Sequence, residues 1–196
     1  MRAHATALAV LLVFPASLEA QWSVGLSLGI ARFFGGAASV VDSTPGEVHP
    51  YRPTTVGVSL GHDWGAVSIG LEFSYGSPGL AAEIPGGAFV DTKGIHFVTG
   101  SPEVTVQVLR VGSGGALRLG GGGDVTLWSI IDTDDRILVG GHVTAAYEWP
   151  VAGRFLGSMQ AGVSLSPSLF RANEVDAAFE RRMMLRPSVS IGIRYR

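Results

Sequence analysis

The 196-residue sequence predicts an all-β chain, eight antiparallel strands closing into an up-and-down transmembrane barrel. Three observations predict it. Apolar residues recur at every second position along stretches of about ten, which gives a strand two unlike faces. The connections between these stretches alternate long and short. The chain also holds 28 glycines and is only 15 % charged. No run after the N-terminus is long and apolar enough for a spanning helix.

The first strand runs from Trp22 to Ala31, with Trp22, Val24, Leu26, Leu28 and Ile30 alternating against serine, glycine and alanine. A long loop, about Arg32 to Pro53, precedes the second strand at Thr54 to Gly61. A tight turn at His62-Asp63-Trp64-Gly65 leads into the third, Ala66 to Tyr75. A second long loop runs from Gly76 to about Ser101, and its Ile95-His96-Phe97-Val98 is a candidate extension of the fourth strand, Pro102 to Val111. Gly112 to Gly115 is a short turn. The fifth strand spans Ala116 to Trp128, and the glycine run Gly120 to Gly123 inside it marks a bend or a close backbone approach. The sixth strand is Ile137 to Trp149 and the seventh Arg154 to Ser166. Between them Pro150-Val151-Ala152-Gly153 turns the chain. The last long loop, Pro167 to Met183, carries an expected helical turn around Glu174 to Arg182. The eighth strand, Ser188 to Tyr195, closes the barrel.

Met1-Arg2, the apolar run Ala5 to Phe14 and a small residue before Gln21 describe a secretory signal peptide over residues 1–20, leaving 21–196 as one barrel domain. The protein is thus expected to be exported. No cysteine is present, so no disulfide framework, thiolate metal site or lipid-modified cysteine is expected. A net charge of −2 removes nucleic acid as an expected partner.

The facing of the strands decides between a membrane barrel and a soluble ligand carrier. A soluble barrel turns its apolar face inward and needs charge outside. Here the other face is mainly Gly, Ser, Thr and Ala, which suits a cramped interior better than a solvated exterior. Trp22, Trp64, Trp149, Phe155 and Tyr195 fall at the short-turn end. Tyr51, Phe73, Tyr75 and Phe170 fall towards the long loops. Two aromatic belts are what a bilayer selects, and long loops on one side with short turns on the other are the outer-membrane pattern.

On these strands the chain resembles the eight-stranded outer membrane protein A/X-type barrels and, more loosely, the W type. The last strand is similar to their C-terminal assembly signal, with Val189, Ile191, Ile193 and Tyr195 in the alternate apolar positions. Arg196 departs from that pattern, which ends on the aromatic. The resemblance implies a monomer in the cell outer membrane. Its implied partners are outer-membrane lipid and lipopolysaccharide, the barrel-assembly machinery and an unknown extracellular molecule at the loops.

The inward face is expected to hold a polar network of Glu72, Glu103, Arg118, Asp124, His142, Glu148, Arg186 and Arg194. Buried charges are costly unless paired. One register of the fifth and sixth strands sets Asp124 opposite His142 and Arg118 opposite Glu148, with the hairpin closing around Thr133. Arg194 then shares Glu148. The network reads first as a structural filling of the lumen, and second as the gate of a narrow pore or carrier for small solutes or apolar molecules. His142-Val143-Thr144 beside Asp124 or Glu148 resembles the set of the outer-membrane lipid A deacylases, with Thr where they use Ser. Parity turns His142 inward, so no catalytic set is assigned. Asp132, Asp134 and Asp135 lack the spacing of a calcium loop, and His49, His62 and His96 lack metal-ligand spacing. No cofactor or metal is expected. The expected role is non-enzymatic: envelope structure, or surface interaction through the first, second and fourth loops.

Overall fold

The computed structural model describes residues 21–39, 46–84, 87–91, 94–112, 114–131, 134–171 and 179–196. The expected signal peptide, residues 1–20, lies outside them. The described strands are β1 (Gln21–Ala31), β2 (Phe34–Ser39), β3 (Glu47–Tyr51), β4 (Thr54–Trp64), β5 (Val67–Gly76), β6 (Gly79–Ile84), β7 (Gly87–Asp91), β8 (Ile95–Val111), β9 (Gly115–Ile130), β10 (Arg136–Ala152), β11 (Phe155–Ser166) and β12 (Phe179–Tyr195). Eight of these follow one another in the sheet as β1-β4-β5-β8-β9-β10-β11-β12, and β1 pairs with β12 to close the ring. All neighbours are antiparallel, so every backbone ladder finds a partner and the barrel has no open edge within the ring.

The apolar face points outward. Val24, Leu26 and Leu28 are 52 %, 58 % and 55 % exposed, whereas Ser23 beside them is 3 % exposed. This inverts the soluble arrangement, and burial in lipid is the physical reason such a surface is stable. At the short-turn end Trp22 and Trp64 flank His62 on the outer wall, with ring centroids 4.7 and 4.2 Å away, and Phe155 packs on Tyr195 at 5.2 Å. At the loop end Phe73 and Tyr75 face outward. Phe170 does not join that girdle: it packs over Gly36 of β2.

The turn after β4 is shorter than its sequence implies. His62-Asp63-Trp64 are still strand, paired with Ile69, Ser68 and Val67, and the reversal is made at Gly65-Ala66. Gly65 has φ +61°, which favours a residue without Cβ. This two-residue turn turns Asp63 into the lumen, where it is 8 % exposed. Ile95 to Val98 do extend the fourth barrel strand, making β8 a single strand of 17 residues.

The long loops hold more structure than their Gly- and Pro-rich sequence indicates. β2 and β3 come from the first loop, β6 and β7 from the second, and they continue the sheet in the order β12-β2-β3-β6-β7. The central pairing joins β3 to β6, elements from different loops, so no local alternation announces it. β12 is also longer than expected, at 17 residues. Its C-terminal half pairs with β1 up to Ala31–Ser188, and its N-terminal part pairs with β2 from Leu185–Phe34 onward. Phe179 to Arg182 are therefore strand rather than the expected helical turn; the remainder of that turn lies outside the described residues. The ladder thins at Arg32-Phe33: the Arg32 N–H donates to the Pro187 carbonyl oxygen at 3.0 Å, but Pro187 has no N–H to return.

Candidate functional site: the barrel lumen

Three layers of side chains fill the inside of the barrel. At the loop end, the inward residues of β8, β9 and β12 are large and apolar. Phe97, Trp128, Met184 and Ile95 join Phe33 and Leu169 in a buried cluster. Ring centroids lie 4.9 Å apart for Phe97–Trp128, 5.6 Å for Phe33–Trp128 and 6.2 Å for Phe33–Phe97, in tilted and edge-on arrangements that aromatic quadrupoles favour. Leu169 reaches this cluster from the fourth loop, where the Arg136 guanidinium donates to its carbonyl oxygen. Ser168 donates to the Gly36 carbonyl oxygen at 2.8 Å, tying the same loop to β2. The result is an apolar plug over the lumen.

Below the plug lies a polar layer. Arg186 stands under the rings of Phe97 and Phe33, at 5.6 and 6.0 Å from their centroids. It donates to Ser164 Oγ at 3.1 Å and approaches Asp124 Oδ2 at 3.8 Å. Asp124 also accepts from Ser101 at 2.6 Å, and His142 Nδ1 lies 2.8 Å from its Oδ1. The other ring nitrogen of His142 lies 3.7 Å from Glu103 Oε1, the atom that also accepts from Thr144. Glu72 accepts from Ser27 at 3.2 Å. Two cavities, of about 90 and 70 Å³, lie within and beneath this layer. Their size and polar walls suit a few ordered waters.

The third layer closes the short-turn end. Arg118 and Glu148 are 4 % and 3 % exposed. Glu148 accepts from Arg118 Nε at 2.9 Å, pairs with Arg194 at 2.8 Å and lies 3.3 Å from Arg196. Asp63 lies 3.9 Å from Arg118 and 2.9 Å from Arg196, and accepts from Ser68. Arg118 also donates to Ser68 at 2.5 Å. Three guanidinium groups thus converge on two carboxylates. Desolvation of these charges is offset only because each has partners at close range.

All eight sequence-assigned residues therefore face the lumen, but they divide into two groups. Glu72, Glu103, Asp124, His142 and Arg186 lie in the middle layer, and Arg118, Glu148 and Arg194 at the short-turn end. The register that sets Asp124 directly opposite His142 is corrected by the structure. Asp124 pairs with Gly140, His142 with Gly122, Glu148 with Ala116 and Arg118 with Ala146. The hairpin closes two residues tighter than that register implies. A shift of two preserves which face a side chain occupies, so the contacts are made diagonally across the strands, within reach of long side chains.

Asp63, Ser68 and Arg196 belong to the short-turn cluster but were not among the assigned residues. Arg196 shares parity with the inward Arg194, which was the available signal. The glycine run also has a specific purpose. A Cβ on Gly122 would press into the Pro102 carbonyl oxygen, and one on Gly120 into the Glu103 carboxylate. Gly122→Ala is expected to cost about 1–3 kcal/mol by overpacking against backbone, read as a lower urea midpoint in reversible unfolding from detergent. Of the loop carboxylates, Asp134 pairs with exposed Arg171 at 3.1 Å, and Asp132 lies outside the described residues. No cluster of metal-ligating side chains occurs among the described residues. His96 stacks on Tyr75 instead.

No protein-family profile and no curated protein matches this chain. Solved structures do. Neisserial surface protein A aligns with 90 % of this chain and 97 % of its own, at a TM-score of 0.57 and 10 % identity. The outer membrane protein OprG from Pseudomonas aeruginosa aligns with 89 % of this chain and 94 % of its own, at a TM-score of 0.54 and 10 % identity. At that identity the likeness is one of fold, and it spans nearly the whole of each chain. With the closed eight-strand ring and the outward apolar face, it places this chain in the fold of the eight-stranded outer-membrane β-barrels.

Proposed function

We propose that the protein is a non-enzymatic barrel of the cell outer membrane with an envelope-structural or surface-interaction role carried by its extracellular loops. The observation that carries this reading is a lumen filled at both ends, by the Phe33-Phe97-Trp128 plug and by the Arg118-Glu148-Asp63 cluster. A transport role would need a path between them. The loop layer supports the same reading. β2, β3, β6 and β7 hold a sheet above the barrel, with Ala37 and Ala81 fully buried in it, so the first and second loops present a shaped surface rather than loose coils.

His142 has its ring among Asp124, Glu103 and the lumen, away from lipid, which weighs against a lipid-hydrolase set. In this reading Val189, Ile191, Ile193 and Tyr195, all outward-facing, serve as the assembly signal. Arg196 turns inward to Asp63 and Glu148 and leaves the Tyr195 ring on the outer wall. The chain works as a monomer.

Liposome swelling tests the role. Vesicles carrying the refolded protein should swell in small sugars no faster than protein-free vesicles. Swelling that rises with protein content would favour the pore or carrier reading.

A further inference from the structure

The outer wall is not evenly convex. Across five neighbouring strands, Leu119, Ala145, Ala161, Val189 and Ile30 form one lateral row by direct pairing. The second and third members are alanines, so the wall sinks where the others carry branched side chains. The resulting groove has a volume of about 1010 Å³, and its upper rim is formed by Arg32 and Arg52. Both arginines are exposed. They stand at the loop end of β1 and β4, just past the outward Ile30 and Thr54.

The rim is organised for an anion. The Arg32 guanidinium lies over the Phe34 ring at 4.7 Å and that of Arg52 over the Tyr51 ring at 5.5 Å. Among the described residues neither is in an ion pair. Stacking on a ring restrains the guanidinium and leaves its N–H edge free, the geometry that recognises phosphate bidentately. Aromatic rings at this height mark the polar–apolar boundary of the bilayer. Two cations without an ion-pair partner among the described residues therefore sit at headgroup level directly above an apolar groove. The long-loop side faces the outer leaflet in this topology.

We propose that this groove binds one phosphorylated glycolipid of the outer leaflet, with its acyl chains against Ala145 and Ala161 and a phosphate on Arg32 and Arg52. A plain annular lipid would fill the groove without needing the arginines. Charge complementarity selects a phosphorylated headgroup, and the outer-leaflet side of the barrel selects the glycolipid over a phospholipid. The site rests on the outer-membrane placement proposed above, but not on the structural or surface-interaction role.

The test is native mass spectrometry of the full folded chain in detergent with added bisphosphorylated lipid A. The wild type should retain one lipid A through detergent release. Arg32→Ala/Arg52→Ala and Ala145→Phe/Ala161→Phe should each weaken retention roughly tenfold or more, as expected for loss of charge-assisted bonds or of the groove. Heat-shifted gel migration confirms that each variant is folded. On the wild type alone, dephosphorylated lipid A should compete poorly, which keeps the test valid if a variant does not fold. Equal retention of lipid A by wild type and the arginine variant would overturn the proposal. So would equal retention of dephosphorylated lipid A or phosphatidylglycerol by the wild type.

Discussion

Glu148→Ala is expected to lower the unfolding free energy by about 3–5 kcal/mol, the range for removing one partner of a buried ion pair. The side chain is 4 % exposed and faces Arg118, Arg194 and Arg196 at 2.9, 2.8 and 3.3 Å. Its loss leaves three guanidinium groups around a single remaining carboxylate, Asp63. Arg118 is worst placed, because it is itself 4 % exposed and cannot swing out to water. Arg194 and Arg196 keep about a quarter of their side-chain surface open, so Arg194→Ala should cost clearly less than Glu148→Ala. Urea titration of the protein refolded into detergent or lipid vesicles measures both. A loss below about 1 kcal/mol for Glu148→Ala, in the range of an exposed pair, would mean that the cluster is open to water.

Trp128→Ala is expected to cost about 3–5 kcal/mol, the range for truncating a large buried aromatic. The indole is 1 % exposed and is packed between Phe97 and Phe33. Unlike a cavity in the barrel wall, this one sits at the top of the lumen, so truncation also removes part of the plug. The short-turn cluster remains, and Trp128→Ala alone should therefore not induce swelling in sugars. Trp128→Ala and Glu148→Ala share no partner, so their stability losses should add. The double variant is the one in which solute leak is expected.

The barrel strands are legible in the sequence because membrane burial imposes a strict period of two. Leu26 and Ser27 are adjacent yet belong to different solvents, and that contrast repeats through every barrel strand. The loop strands are not legible for the opposite reason. Glu47–Tyr51 is held by Gly79–Glu83, about thirty residues away and in another loop, so its strand character is tertiary. Parity carried the lumen residues to the correct face, but parity cannot distinguish registers that differ by two, and the β9–β10 turn carries no residue that fixes its length. Hence Asp124 and His142 meet diagonally. Asp63 was concealed by its place in what reads as a four-residue turn. The plug residues Phe97 and Trp128 share parity with Glu103 and Asp124; their bulk at inward positions near the loop end was a readable sign of closure. Leu169 carried none, since it enters from a loop.

The measurement that bears most directly on the barrel's orientation uses the absence of native cysteine. Single variants Leu26→Cys and Val58→Cys are labelled with a small fluorophore and refolded into vesicles of phospholipids brominated in their acyl chains. Both labels are expected to be strongly quenched by the lipid, because both positions lie on the outer wall. Labels protected from quenching in a folded, heat-shifted protein would place the apolar face inside and contradict the membrane barrel.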